Sequence, residues 1–314
     1  MAQASRRPAV VASEPVRIVS LLPSTTEILF AIGAGEDVVG VTFECDHPAE
    51  ARTRRIVSTS TLPEGLSPGE IDLAVKERIA AGEDLYRLDE GALRELDVDV
   101  VVTQDLCAVC AVDVSEVGDA LEHLGCEADV VTLDPMRLDE VLASIALLGT
   151  VTGHEDAAGD LASHLRSRLD AVRQAVAGRR PPRVAVLEWT DPLFCAGHWV
   201  PDLVEAAGGD SVLGAAGQRS HQVEAADVAR AEPEIVVVAP CGYRLNGAVE
   251  LARSLDGTGV VPPGVALWAV DADAELVRPG PRLVDGVETL AGIFHPDAVP
   301  ARPGAVLVNG PGRA

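Results

Sequence analysis

Apolar residues along this chain fall into two patterns: short uninterrupted runs, and stripes at helical spacing. The longest stripe lies near the middle. Leu161, Leu165, Leu169, Val172 and Val176 share one face of a helix predicted from His154 to Gly178. Gly153 precedes this helix, and Gly178 with two arginines and Pro181–Pro182 stops it. At the usual helical rise it spans about 37 Å, the width of a small domain. The sequence before it resembles the sequence after it, so it reads as a rigid spine joining two α/β lobes. A long surface helix within one domain is the alternative.

The first lobe opens with a short strand, Arg17 to Leu22. Pro23 and Ser24 break it, and Ser24 to Glu27 reads as a capping box for the helix EILFAIGAG. A strand from Val38 to Phe43 follows, then a polar connection over 52–69 and helices over 68–81 and 89–95. Val98 to Thr103 is a buried parallel strand. A helix near 113–125 and a strand near 127–133 complete the lobe, and Leu138, Leu142, Ile145 and Leu148 mark a helix leading into the spine.

The second lobe restarts the plan. Arg183 to Glu188 matches the opening strand, a long loop WTDPLFCAGHW follows, and VPDLVEAAGGDSVLG echoes EILFAIGAGEDVVG. ALRELDVDVVVTQ has its counterpart in VARAEPEIVVVAP. The chain then gives a strand over Val265–Val270 and a last helix, LVDGVETLAGIFHP. The predicted division is a disordered tail over 1–15, an N-terminal lobe over 16–137, connecting helices over 138–180, a C-terminal lobe over 181–296 and a tail over 297–314. Strands separated by helices give two mainly parallel, Rossmann-like sheets in an α/β fold.

Composition narrows the function. The chain has 314 residues, 47% hydrophobic and 24% charged, with a formal net charge of −24. No basic stripe exists to neutralise phosphates, so nucleic acid is not an expected partner, nor is an anionic membrane surface. No apolar run approaches the length of about 18 residues that crosses a bilayer, so no membrane insertion is expected. The apolar patch Pro8 to Ala12 is too short for a signal-peptide core, which predicts a cytoplasmic protein with reduced cysteines.

Open α/β sheets bind ligands beyond the carboxyl ends of their strands. The residues just past the predicted strand ends form an unusual set: Glu44, Cys45, Asp46, His47, Gln104, Cys107 and Cys110 in the first lobe. The second gives Glu188, Trp189, Phe194, Cys195, His198, Trp199, Cys241 and Tyr243. If the lobes face one another, these line one cleft. Cys107 and Cys110 have metal or redox spacing, and with Cys45, His47 and Cys241 they suit a soft metal such as zinc, or an iron–sulfur cluster; packing of a tight loop is the alternative. His47 and His198 either approach a metal centre or are structural. Trp189, Trp199 and Tyr243 either offer flat faces to a planar ligand or pack in the core. Arg278 and Arg282 flank Pro-Gly-Pro at a helix start, suited to holding an anion or bridging the lobes; a local ion pair is the alternative. There is no P-loop, no GxGxxG after the first strand and no GxSxG elbow, which disfavours nucleotide cofactors and serine hydrolysis.

RIVSLLPSTTEILFAIGAG, LDVDVVVTQ, AEPEIVVVAP, the spine with Gly149 and Gly153 before it, and RPGPRLVDGVETLA carry a likeness to a known family. Over about residues 16–296 the chain resembles the cobalamin-binding branch of the helical-backbone, class III substrate-binding proteins of ABC importers. The resemblance implies a rigid connecting helix, small hinge motion and a ligand between the lobes: a corrinoid, haem, an iron chelate or a metal ion. ECDHP, TQDLCAVCAV, LEWTDPLFCAGHWVP and PCGY resemble a subgroup often without a secretion signal. An ABC permease is then an expected partner only if an export signal lies upstream, which would place the protein in the periplasm or otherwise outside the cytoplasm.

The expected function is therefore small-molecule binding, with a corrinoid or related metal chelate held by Asp46, His47, Gln104, Glu188, Trp189, His198, Trp199, Tyr243, Arg278 and Arg282. The alternative is a metal- or thiol-dependent enzyme or redox protein using Cys45, Cys107, Cys110 and Cys241, with Glu188 or Asp46 as acid–base groups.

Overall fold

The computed structural model describes residues 16–81, 83, 85–104 and 128–310. The short apolar runs become two sheets. The first has the order β4-β3-β2-β1-β5-β6, from β1 (Ile18–Ser20), β2 (Val38–Thr42), β3 (Arg55–Ser60), β4 (Tyr86–Leu88), β5 (Val100–Thr103) and β6 (Asp129–Thr132). Its strands are parallel except β4, which pairs antiparallel with β3. Helices α1 (Pro23–Ala31), α2 (Pro68–Ala81) and α3 (Glu90–Leu96) belong to this lobe. The predicted helix near 113–125 lies outside the described residues.

Helix α4 (Leu138–Thr152) and the spine α5 (Glu155–Val176) lead to the second lobe. There the order β10-β8-β7-β11-β12-β13 is built from β7 (Arg183–Thr190), β8 (Leu193–Cys195), β10 (His221–Gln222), β11 (Ile235–Val238), β12 (Ala266–Val270) and β13 (Ala305–Asn309). The short β9 (Asp210–Ser211) lies parallel to the start of β7. Helices α6 (Val200–Ala206), α7 (Ala225–Arg230), α8 (Leu245–Leu255), α9 (Ala272–Glu275) and α10 (Leu283–Phe294) complete the lobe.

The internal echo is structural. β1, α1, β2 and β5 correspond to β7, α6, β9 and β11: β1 lies between β2 and β5, and β7 between β9 and β11, with every one of these pairs parallel. The two echoing glycines even share a conformation. Gly33 after α1 and Gly208 after α6 have φ of 86° and 83°, left-handed values that favour glycine when a helix turns back toward a strand.

Four expectations need correcting. The capping box at Ser24–Glu27 does not form: α1 starts at Pro23 with no side-chain cap, and Thr25 and Thr26 donate to the Leu22 carbonyl at 3.1 and 3.0 Å. Glu27 is engaged by a guanidinium instead, a stronger charge-assisted bond. The connection over 52–69 contains β3, whose polar sequence hides a strand one place in from the sheet's edge, with only Val57 and Ser58 buried. The loop after β7 folds back as β8, antiparallel to it. The expected tail over 297–314 supplies β13, antiparallel to β12.

The spine runs over 22 residues with Ala158, Ala162, Leu165, Leu169, Val172 and Val176 buried, while Leu161 is only half-buried. A single apolar cluster passes through it from Leu29 and Val38 in the first lobe to Leu203 and Leu290 in the second. On its polar side Arg168 reaches Glu288 at 2.9 Å and Asp285 at 2.6 Å on α10. Both lobes are thus anchored to one helix by dispersion and charge together. Truncating Leu165 to Ala is expected to cost about 2–5 kcal/mol, the usual penalty for a buried leucine. Leu161→Ala should cost distinctly less, as read by urea denaturation of the two variants side by side.

Candidate ligand-binding cleft

The carboxyl ends of both sheets' parallel strands look into the space between the lobes, so residues following β2 meet residues following β11 and β12. Asp46, just past β2, is the meeting point. Its Oδ1 accepts from Arg278 at 2.6 Å and its Oδ2 accepts from Arg244. Arg278 also donates to Asp273 at 3.0 Å. Deeper in, Arg282 donates through Nε to Glu27 at 2.8 Å and again through its terminal nitrogen. Glu27 is only 3% exposed, whereas the Arg244 side chain is 49% exposed. The bridge therefore grades from a buried inner pair to a wetter outer one.

Aromatic side chains flank this bridge on both sides. On the first lobe the exposed Phe43 lies 6.1 Å, centroid to centroid, from Tyr86, a core residue only 7% exposed, and Trp189 and Tyr243 lie 5.9 Å apart, edge to face, on the second. Trp189 also crosses the gap, its indole N–H donating to the Pro68 carbonyl of the first lobe at 3.3 Å. Asp191 is equally close to that lobe: a Cβ built on Gly69 would sit 2.6 Å from its carboxylate. Cys241 and Glu188 are half-buried at the same rim, linked by the Cys241 N–H to the Glu188 carbonyl at 3.2 Å.

Charge and burial set opposite titrations for two adjacent acids. Burial alone would raise Asp46, but hydrogen bonds and charge from Arg278 and Arg244 overcome it and hold the carboxyl at about 2. Glu44 is pushed up to about 7, chiefly by burial; Arg278 opposes the shift, while Asp273 and Asp46 reinforce it. Its hydrogen-bond donor is the Tyr86 hydroxyl at 3.4 Å.

Other expected site residues are placed elsewhere. Trp199 is a core residue, 6% exposed, with its indole N–H on the Leu276 carbonyl at 2.8 Å; the packing of α6 against α10 leaves it no face for a ligand. Gln104, at 5% exposed, is buried behind the rim. His198 lies tilted beside Trp199 with ring centroids 5.7 Å apart, among the second lobe's own loops, and burial followed by the Arg219 charge lowers its pKa. His47 is exposed and lines a groove of about 670 Å³ with Phe30, Glu36 and Arg54, which shares Glu27 and Arg282 with the ionic bridge.

Of the expected cysteine–metal set, Cys45 and Cys241 lie among the described residues. Among the described residues no group of three or more His, Cys, Asp or Glu side chains is arranged to hold a metal ion. Cys45 is buried beside the Thr26 hydroxyl at 3.0 Å, and burial pushes its thiol up to about 12, so it is not a ready thiolate ligand. Cys195 is buried against His221 at 3.4 Å. Cys107 and Cys110 lie outside the described residues. Sequence reading missed Arg244 and Tyr86: the first follows a recognised rim motif by one residue, and the second sits on a three-residue strand with no apolar run to reveal it.

Two α/β lobes on a helical backbone, with a cleft lined from both strand rims, define a two-lobed binding protein. The profile of the periplasmic binding protein family matches residues 18–255, and the chain belongs to that family. An uncharacterised ABC transporter substrate-binding lipoprotein, YvrC of Bacillus subtilis, is 26% identical over 306 residues, covering 94% of this chain and 84% of that protein. A vitamin B12-binding protein of Yersinia pestis is 24% identical over 224 residues, 71% of this chain and 69% of its own length. Among solved structures, a periplasmic heme-binding protein from Pseudomonas aeruginosa superposes with a TM-score of 0.69 at 21% identity, covering 93% and 97% of the two chains. The vitamin B12-binding protein BtuF of Vibrio cholerae gives 0.60 at 22%, covering 88% and 96%. At such identities the superpositions establish the fold.

The raised Glu44 fixes a sign for stability. A carboxyl that is harder to ionise when folded makes stability fall as pH climbs from 4.5 through about 7. Glu44→Gln should therefore gain on the order of 1–3 kcal/mol at about pH 8.5 and nothing at about pH 4.5 in denaturant titrations. Asp46 acts oppositely: its contribution is present above 3.8 and is lost as pH falls through about 2.

Proposed function

We propose that the chain is a ligand-binding protein that holds a corrinoid or a related metal chelate in the cleft between its lobes. The observation that carries this reading is the placing of aromatic rings on both sides of an ionic bridge: Phe43 from one lobe, Trp189 and Tyr243 from the other, with Asp46 and Arg244 between them. Flat rings at two opposed rims suit a broad, flat ligand with polar edges. Family membership supports the same reading, as do relatives named for binding vitamin B12 and heme. Glu188 and Cys241 would lie at the ligand's rim. Arg278 and Arg282, both occupied by carboxylates, would hold the lobes in register.

The relatives are named as a lipoprotein and as periplasmic proteins, which supports an extracytoplasmic site of action over a cytoplasmic one, with an ABC permease as the receiving partner. No helix of the described residues is long and apolar enough to cross a membrane. Fractionation of the native host with an antibody decides the location.

The direct test is an absorbance titration with cyanocobalamin and with hemin, followed by gel filtration. Binding should shift the chelate's bands and carry colour with the protein peak. Trp189→Ala, which removes one wall, should weaken that binding by about tenfold or more, the loss expected for a buried aromatic contact. Colourless protein and unchanged spectra with both chelates at micromolar concentration would refute the proposal.

A further inference from the structure

The charges of the cleft are unevenly satisfied. Its three arginines are all engaged: Arg244 by Asp46, Arg278 by Asp46 and Asp273, Arg282 by Glu27. Glu44 is half-buried between Phe43 and Cys45, receives the Tyr86 hydroxyl, and makes no ion pair among the described residues. We propose that the cleft selects a metal chelate that is neutral or cationic where it meets Phe43 and Glu44, and that Glu44 is the residue that discriminates against polyanionic chelates. This rests on the chelate-binding reading above and narrows it to a charge class.

The physical argument compares what each ligand must break. An anionic group needs a guanidinium, and the most exposed one, Arg244, is held by Asp46. Releasing it costs an ion pair and places the new anion beside Asp46, Glu44 and Asp273 in a chain of net charge −24. A cationic group breaks nothing. It needs only that Glu44 release its proton to solvent, after which a carboxylate and the exposed Phe43 ring meet the cation. The groups facing Glu44 are Arg278, Asp273 and Asp46 and the Tyr86 hydroxyl.

The test uses three probes on the intact chain: cyanocobalamin, neutral overall; aquacyanocobinamide, cationic; and hemin, with two propionates. Corrinoid binding is expected, with hemin at least about tenfold weaker. Because Glu44 must ionise to meet a cation, cobinamide affinity should rise by about tenfold from pH 6 to pH 8, while cyanocobalamin affinity stays nearly flat. Glu44→Gln should remove the cobinamide pH dependence and bring hemin closer to the corrinoids; the wild-type pH profile stands by itself if that variant does not fold. Hemin binding tighter than cobinamide, or pH-independent cobinamide binding, would overturn the inference and leave chelate binding intact. Binding of none of the three overturns both.

Discussion

The lobes of this protein meet through carboxylates of the first and guanidiniums of the second, and the geometry of the cleft depends on that junction. Glu27 and Asp46 come from α1 and the end of β2; Arg244, Arg278 and Arg282 come from the segments after β11 and β12. Taking these charges out of water is costly, and their mutual attraction does little more than offset that cost. What the arrangement supplies is register. Each arginine has a defined acid to meet, so the rims face one another at one spacing. The wetter outer pair, Asp46–Arg244, is the part able to yield when a ligand enters.

Beneath that junction the spine does a different job. Its apolar face joins a core shared by both lobes, and Arg168 ties it to α10 through Glu288 and Asp285. Dispersion contacts distributed over a long helix resist bending better than a flexible linker would. The lobes are therefore fixed at one side and joined at the other by ion pairs, the Trp189–Pro68 contact and the approach of Asp191 to Gly69. Small adjustments of the cleft, rather than a wide hinge, follow from this construction.

Much of the fold was legible in the pattern of the chain. The spine, α2, the parallel strands β1, β2, β5, β7, β11 and β12, and the internal echo all announce themselves through periodicity or apolar runs. Elements that were not legible share one property: their stability comes from partners distant in sequence. β3 is mostly polar because it lies toward the sheet's edge, and β13 exists because β12 offers an unpaired side. The Ser24–Glu27 box reads as a cap only until Arg282, far along the chain, claims the glutamate.

The candidate site divides along the same line. Sequence by itself determined that chemistry-bearing residues gather after strand ends, because side chains there escape the sheet's packing and face open space. It also determined the acidity, the two-lobed plan and the aromatic residues Trp189 and Tyr243. Tertiary structure decided which of them share a surface. It drew Trp199 into the core, paired Arg278 and Arg282 with acids, and set His198 among its own lobe's loops. It also placed Arg244 in the cleft beside Asp46 and brought the hydroxyl of the buried Tyr86 to Glu44. Periodicity reports which way a residue faces within its own element; the partner it meets across the gap depends on how two separately folded sheets are docked, which no local pattern encodes.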